Sequence, residues 1–159
     1  MTTPSAYRFL ERYRKLSSVV GNDDKVFFLA QYIQEIALLD ASLLKYTPSE
    51  LAAASLILSG RCLKKSAVWN KEMEKSTKYK DDYLQPIVED VKSFVVEVNP
   101  KFLTTLKYKF SKVDYAEVAN IAFKFWTELS TQNVSLPENK ETDKPINRVA
   151  NNTCQPTVH

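Results

Sequence analysis

Groups able to carry chemistry are scarce in this chain, and their types exclude most reaction classes. The only histidine among the 159 residues is His159, the last one. A Ser-His or Cys-His nucleophile pair needs an imidazole base, and a histidine-containing zinc site needs an imidazole ligand. Neither is expected, and no metal or cofactor site is expected. Gly21 and Gly60 stand far apart, so no glycine-rich loop can cradle a phosphate. Adjacent carboxylates occur at Asp23-Asp24 and Asp81-Asp82. Both pairs fall where helices begin, and there carboxylates stabilise the positive end of the helix dipole. That role is preferred over acid–base catalysis. Trp69 and Trp126 are assigned to packing rather than ligand stacking. The expectation is that the chain is not an enzyme.

One cluster suits binding. Arg61, Lys64, Lys65, Lys71, Lys75, Lys78 and Lys80 gather around Tyr79, a pattern able to track phosphates. Glu72 and Glu74 interrupt it, Asp81-Asp82 close it, and the whole chain carries a formal charge of only +3. A solvated helix–loop–helix surface is the preferred reading, and a nucleic-acid partner is not expected.

The elements that would position these groups are helical. Two glycines are too few for the turns of an all-β fold. Hydrophobic content of 44% with 26% charged residues is that of a globular domain. A chain of this length buries about two-thirds of its unfolded surface. The organising stretch is Thr47 to Leu63, TPSELAAASLILSGRCL. Thr47 and Glu50 have capping-box spacing, and Pro48 takes the first helical position, where its missing N–H costs nothing. From Leu51 to Leu58 every residue but Ser55 is apolar, so the helix has no face for water. Spanning a membrane takes roughly 20 such residues, so this is the centre of a core.

Around it the periodicity predicts further helices. Thr3-Pro4 opens one that carries Tyr7, Phe9, Leu10 and Tyr13. Asn22 caps the next, with Val26, Leu29, Ile33, Ile36 and Ala37 along its apolar stripe. Ser66 caps a short helix through Val68, Trp69 and Met73. Asp81 begins an amphipathic helix with Leu84, Ile87, Val88, Val91, Phe94, Val95 and Val98, and Pro86 lies within its first turns. Asn99-Pro100 opens another, holding Phe102, Leu103, Leu106 and Phe110. Asp114 and Glu117 resemble a last capping box, before a helix with Val118, Ile121, Phe125 and Leu129. Residues 131–159, rich in Asn, Thr and Pro, read as a flexible tail following a domain over 1–130. MTTPSAYRFLERYRKL has no apolar signal core, and Cys62 and Cys154 offer no disulfide framework. An intracellular, reducing location in nucleus or cytoplasm is expected, with no membrane attachment.

Residues 3 to about 118 resemble the C-terminal box of the cyclins, closest to the A and B types. TPSAYRFLERY looks like the linker proline and Phe-Leu pair that open that box. LAQYIQEIALLDASLLKYTPSELAAASLILS, residues 29–59, resembles the pattern L-A-x-Y, E-L-x-L-x-D, then a Pro-Ser step into an Ala-rich helix. Trp69, Tyr79, Leu84 and Pro86 fall where the family has a Trp, a Gly-Tyr pair and a proline within the fourth helix. Lys78 stands in place of the glycine. VKSFVVEVNPKFLTTLKYKFSKVDYAEVA looks like the closing segment, with Lys109 and Phe110 for a Lys-Tyr pair. The resemblance implies an all-α, five-helix cyclin fold around Thr47–Leu63, with an extra C-terminal helix. It also implies a regulatory subunit of a cyclin-dependent serine/threonine kinase in cell-cycle control. The family's first box, which faces the kinase and docks substrates, has no counterpart in these residues, so none of its functional positions carries over. A stand-alone helical adaptor, or a nucleic-acid-binding module like the cyclin folds of general transcription factors, is the alternative. Tyr7, Phe9, Leu10 and Tyr13 form the candidate partner-binding surface, because Phe9 points away from Tyr7 and Tyr13 on a helix. Self-association, or binding of a partner, is expected there.

Overall fold

In the computed structural model of the chain, residues 4–98 and 103–133 are described. Among them are eight α-helices and no strand. They are α1 (Ala6–Leu16), α2 (Ser18–Gly21), α3 (Asp24–Ala37), α4 (Pro48–Cys62), α5 (Lys71–Thr77), α6 (Asp81–Val98), α7 (Thr104–Phe110) and α8 (Val118–Asn133). Setting aside the short connectors α2 and α5 leaves six helices, with α1, α3, α6 and α8 around α4 and α7 packed on α3 and α8. The architecture is that of the cyclin fold.

The central position of α4 follows from its sequence. The Glu50 N–H donates to Thr47 Oγ1 at 3.3 Å, and the Thr47 N–H donates to Glu50 Oε2 at 2.8 Å. This capping box satisfies donors that the first helical turn leaves open. Every residue from Glu50 to Gly60 is buried. Helices α1, α3, α6 and α8 all pack on α4, so its apolar circumference is covered on every side. Small residues permit this. An added methyl on Gly60 would lie 2.5 Å from Val68 Cγ2, so only a glycine admits the 64–70 loop at that spot. The stripe of α3 is buried as its periodicity requires, and so are Leu84, Ile87, Val88, Val91 and Val95 of α6. Phe94 and Val98 are half-buried. Pro86 lies inside α6, early enough to remove little hydrogen bonding.

Several helix starts differ from expectation. Asn22 is the C-cap of α2 in αR geometry (φ −97°, ψ −5°), which denies it the extended backbone of an N-cap. Asp23 caps α3 instead, accepting from the Lys25 N–H. Ser66 caps nothing. Lys64 and Ala67 are left-handed there, which interrupts any helix, and Asn70 caps α5 by accepting from the Met73 N–H at 2.9 Å. Asp114 and Glu117 make no capping box. Asp114 belongs to a 3-10 turn over Val113–Tyr115, and left-handed Ala116 and Glu117 (φ 53° and 54°) end it before α8. The buried face of α8 is Val118, Ala119, Ala122 and Trp126, while Ile121, Phe125 and Leu129 are only half-buried. The expected Asn99-Pro100 start and the 134–159 part of the tail lie outside the described residues.

Candidate docking surface

The four proposed contact residues on α1 divide by depth. Leu10 and Tyr13 are fully buried, and Tyr13 donates its hydroxyl to the Ser49 carbonyl at 3.2 Å. They are core residues, which corrects their assignment to a partner surface. A helix shows about half its circumference to water, and α1 presents Ala6, Leu10 and Tyr13 inward toward α4. Tyr7 is 41% exposed, with its ring edge-on to Phe27 at 6.4 Å. Phe9 is half-buried on the opposite flank, 6.4 Å from the Tyr13 ring. The candidate surface therefore narrows to Tyr7 and Phe9.

Between these flanks runs an exposed ridge of Arg8, Arg12 and Lys15, one helical turn apart in sequence. A cavity of about 590 Å³ lies on the Tyr7 side, reaching Phe27, Arg14 and Asn22. Arg14 covers the Phe27 ring at 4.6 Å and pairs with Asp24. A smaller depression on the Phe9 side is bounded by Ser49, Ser76 and Tyr79. Its polar lining continues into a chain of contacts at the start of α4. Ser49 Oγ and the Tyr79 hydroxyl lie 2.8 Å apart, Tyr79 stacks on Tyr83 at 5.8 Å, and Tyr83 donates to the Glu50 carboxylate. Burial alone would raise the Glu50 pKa. The Tyr83 hydroxyl and the Thr47 donors outweigh it and hold the carboxyl below its ordinary value.

The remaining sequence candidates are structural. Asp23 caps α3 and pairs with Lys65 at 3.0 Å. Its burial is opposed by that ammonium and by backbone N–H groups, leaving a lowered pKa. Asp81 and Asp82 occupy the first turn of α6. The basic cluster does not form one face: Arg61 pairs with Glu89 at 3.1 Å, Lys65 pairs with Asp23, and Lys78 is the left-handed C-cap of α5. That geometry accounts for the glycine expected at this position, since only glycine adopts it without steric cost. Trp69 donates its indole N–H to the Tyr79 carbonyl at 3.2 Å, and Trp126 is buried and stacked on Tyr32 at 5.7 Å. Burial pushes the Cys62 thiol up to about 12, which makes it an inert core group. Among the described residues no three His, Cys, Asp or Glu side chains are placed to hold a metal ion. No helix there is long and apolar enough to cross a membrane. Sequence reasoning missed the Arg8–Arg12–Lys15 ridge, although its i, i+4, i+7 spacing was available to find it.

G2/mitotic-specific cyclin-B2 of Oryzias curvinotus is 38% identical over 104 residues, covering 63% of this chain and 26% of that relative. G2/mitotic-specific cyclin-B of Marthasterias glacialis is 28% identical over 119 residues, covering 75% of this chain and 30% of that relative. Cyclin-A1-3 of Oryza sativa subsp. japonica is 30% identical over 122 residues, covering 75% and 25%. The chain thus spans between a quarter and a third of the length of these curated relatives. The family model described as "Cyclin, C-terminal domain" matches residues 4–124, from the residue before the α1 cap into α8, and by that match the chain belongs to the cyclin family.

Proposed function

We propose that this domain is the C-terminal box of a regulatory subunit of a cyclin-dependent serine/threonine kinase, acting inside the cell in cell-cycle control. The observation that carries the reading is the family match over 4–124 on a bundle whose central helix is α4. Cyclins are regulatory subunits rather than enzymes. The absence of histidine from residues 1–158 fits a role without acid–base chemistry.

The kinase-facing surface resides in the family's first box, so these residues serve the kinase through that box. A domain without differential contacts to the two kinase states shifts no equilibrium between them. The 159-residue chain is therefore expected to bind a cyclin-dependent kinase weakly and leave its activity unchanged. Fused behind the N-terminal box of the Oryzias curvinotus cyclin-B2, it is expected to restore stimulation. A chimaera that folds and binds kinase but stays inactive would refute the assignment, and strong stimulation by the 159-residue chain alone would relocate the activating surface. Tyr7 and Phe9 join the interface with a partner or a second copy. Phe9→Ser is expected to raise solubility with helicity unchanged, and unfolding of that variant would place Phe9 in the core.

A further inference from the structure

The α1 face has a chemical character that narrows what it binds. Arg8, Arg12 and Lys15 form one exposed ridge, with Arg14 half-buried beside it. Two carboxylates answer these four cations locally: Glu11 pairs with Arg8 at 3.0 Å, and Asp24 pairs with Arg14. Arg12 and Lys15 have no carboxylate partner within salt-bridge distance among the described residues. The ridge is bordered by the 590 Å³ cavity, where the exposed Tyr7 ring packs on buried Phe27 and the rest of the lining, Glu11, Arg14, Ser17, Ser18 and Asn22 among it, is mostly polar. The facing helix α5 adds Lys75, with Glu72 and Glu74 interleaved.

From this geometry we infer that α1 docks an acidic protein segment carrying one apolar anchor. Carboxylates of the segment pair with Arg8, Arg12 and Lys15, and the anchor packs on the exposed Tyr7 ring at the cavity mouth. Charge complementarity of this kind sets partner choice and association rate, while the buried apolar side chain supplies the affinity. Nucleic acid is the less favoured occupant, since a phosphate backbone needs a longer basic track than the three cations of the ridge, flanked as they are by Glu11, Glu72 and Glu74, whereas a short acidic segment needs only the ridge. The inference rests on the reading that α1 is a partner-binding face, and it is independent of kinase regulation.

The test is a titration of the isotope-labelled 159-residue chain, followed by amide NMR. The probe is a synthetic peptide of Asp and Glu with one central Phe. The expected result is shifts along Tyr7–Leu16 and Phe27, with binding that weakens as salt rises. The R8E/R12E/K15E variant alters only exposed side chains, and its amide dispersion reports its folding. It is expected to bind about tenfold or more weakly, and the single R12Q and K15Q variants by smaller steps. Shifts confined to the Lys107–Lys112 segment would overturn the proposal. Undiminished binding by the reversed variant, or tighter binding of an oligothymidylate at α1, would do the same. Dimerisation of the free chain through α1 would assign the face to a second copy instead. Failure of the kinase chimaera leaves this titration unaffected, so the two readings fail separately.

Discussion

Gly60 provides a sharp test of how α4 is packed. A glycine inside a helix ordinarily disfavours it, and replacement by alanine is worth about 1 kcal/mol in a free helix. Here the new Cβ would lie 2.5 Å from Val68 Cγ2 and 3.0 Å from Val68 Cβ, against an optimum near 3.5–4.0 Å for carbon pairs. Rotating the valine does not remove the second contact, and β-branched side chains are stiff at χ1 in any case. The loop is also tied down. The Lys65 N–H donates to the Gly60 carbonyl at 2.9 Å, and Ala67 holds a left-handed backbone (φ 60°) just before Val68. Overpacking of this severity costs about 2–3 kcal/mol. After the helix gain, Gly60→Ala is expected to destabilise by about 1–2 kcal/mol, which lowers Tm by about 2–8 °C for a domain of this size. Thermal and urea unfolding followed by far-ultraviolet circular dichroism measure it. The decisive variant is the pair with Val68→Ala, which removes Cγ2. In that background only the 3.0 Å contact to Cβ remains, so Gly60→Ala is expected to cost clearly less than it does in the parent. If Gly60→Ala is as stable as the parent, or costs the same in both backgrounds, the close approach of α4 and the 64–70 loop is refuted.

Three further outcomes follow from the same structure. Leu56→Ala, at a fully buried site, is expected to cost about 2–5 kcal/mol in urea unfolding, whereas Leu44→Ala, 65% exposed, should stay within about 0.5 kcal/mol of the parent. Lys78→Gly is expected to stabilise by about 0.5–1 kcal/mol, because Lys78 holds φ 67° and glycine meets no steric penalty there; destabilisation in the same assay would contradict the left-handed C-cap. Glu50 has a folded pKa below its ordinary 4.5, so its stabilisation is present above that pH and is lost as pH falls through the lower folded value. Glu50→Gln should therefore lose less of its Tm between about pH 7 and about pH 3 than the parent does, and an equal loss would remove Glu50 from the acid response.

Much of the fold could be read in residue order because its signals are local. The capping box at Thr47 and Glu50 needs only a three-residue spacing, and an apolar run from Leu51 to Leu58 has one solution in a water-soluble domain, the centre of a bundle. The stripes of α3 and α6 recur with helical period, so their buried faces follow from arithmetic. The family resemblance likewise rests on order and spacing, which survive without coordinates.

What escaped the sequence depends on contacts between distant segments. Whether Asn22 or Asp23 caps α3 turned on Asn22 being held by the carbonyls of α2. The 64–70 loop could not be foreseen as non-helical, because its left-handed turns serve to bring Val68 against Gly60. The α1 surface shows the division most clearly. Tyr7, Phe9, Leu10 and Tyr13 are similar in apolar character, and sequence periodicity alone did not rank them by depth. The placement of α4 beneath Leu10 and Tyr13 buried those two. The packing of Phe27 against Tyr7 left that ring at the lip of a cavity, and the ridge of Arg8, Arg12 and Lys15 became one surface between two flanks. Amphipathic spacing decides which residues share a helix face; only the neighbours that pack against that face decide which of them water still reaches.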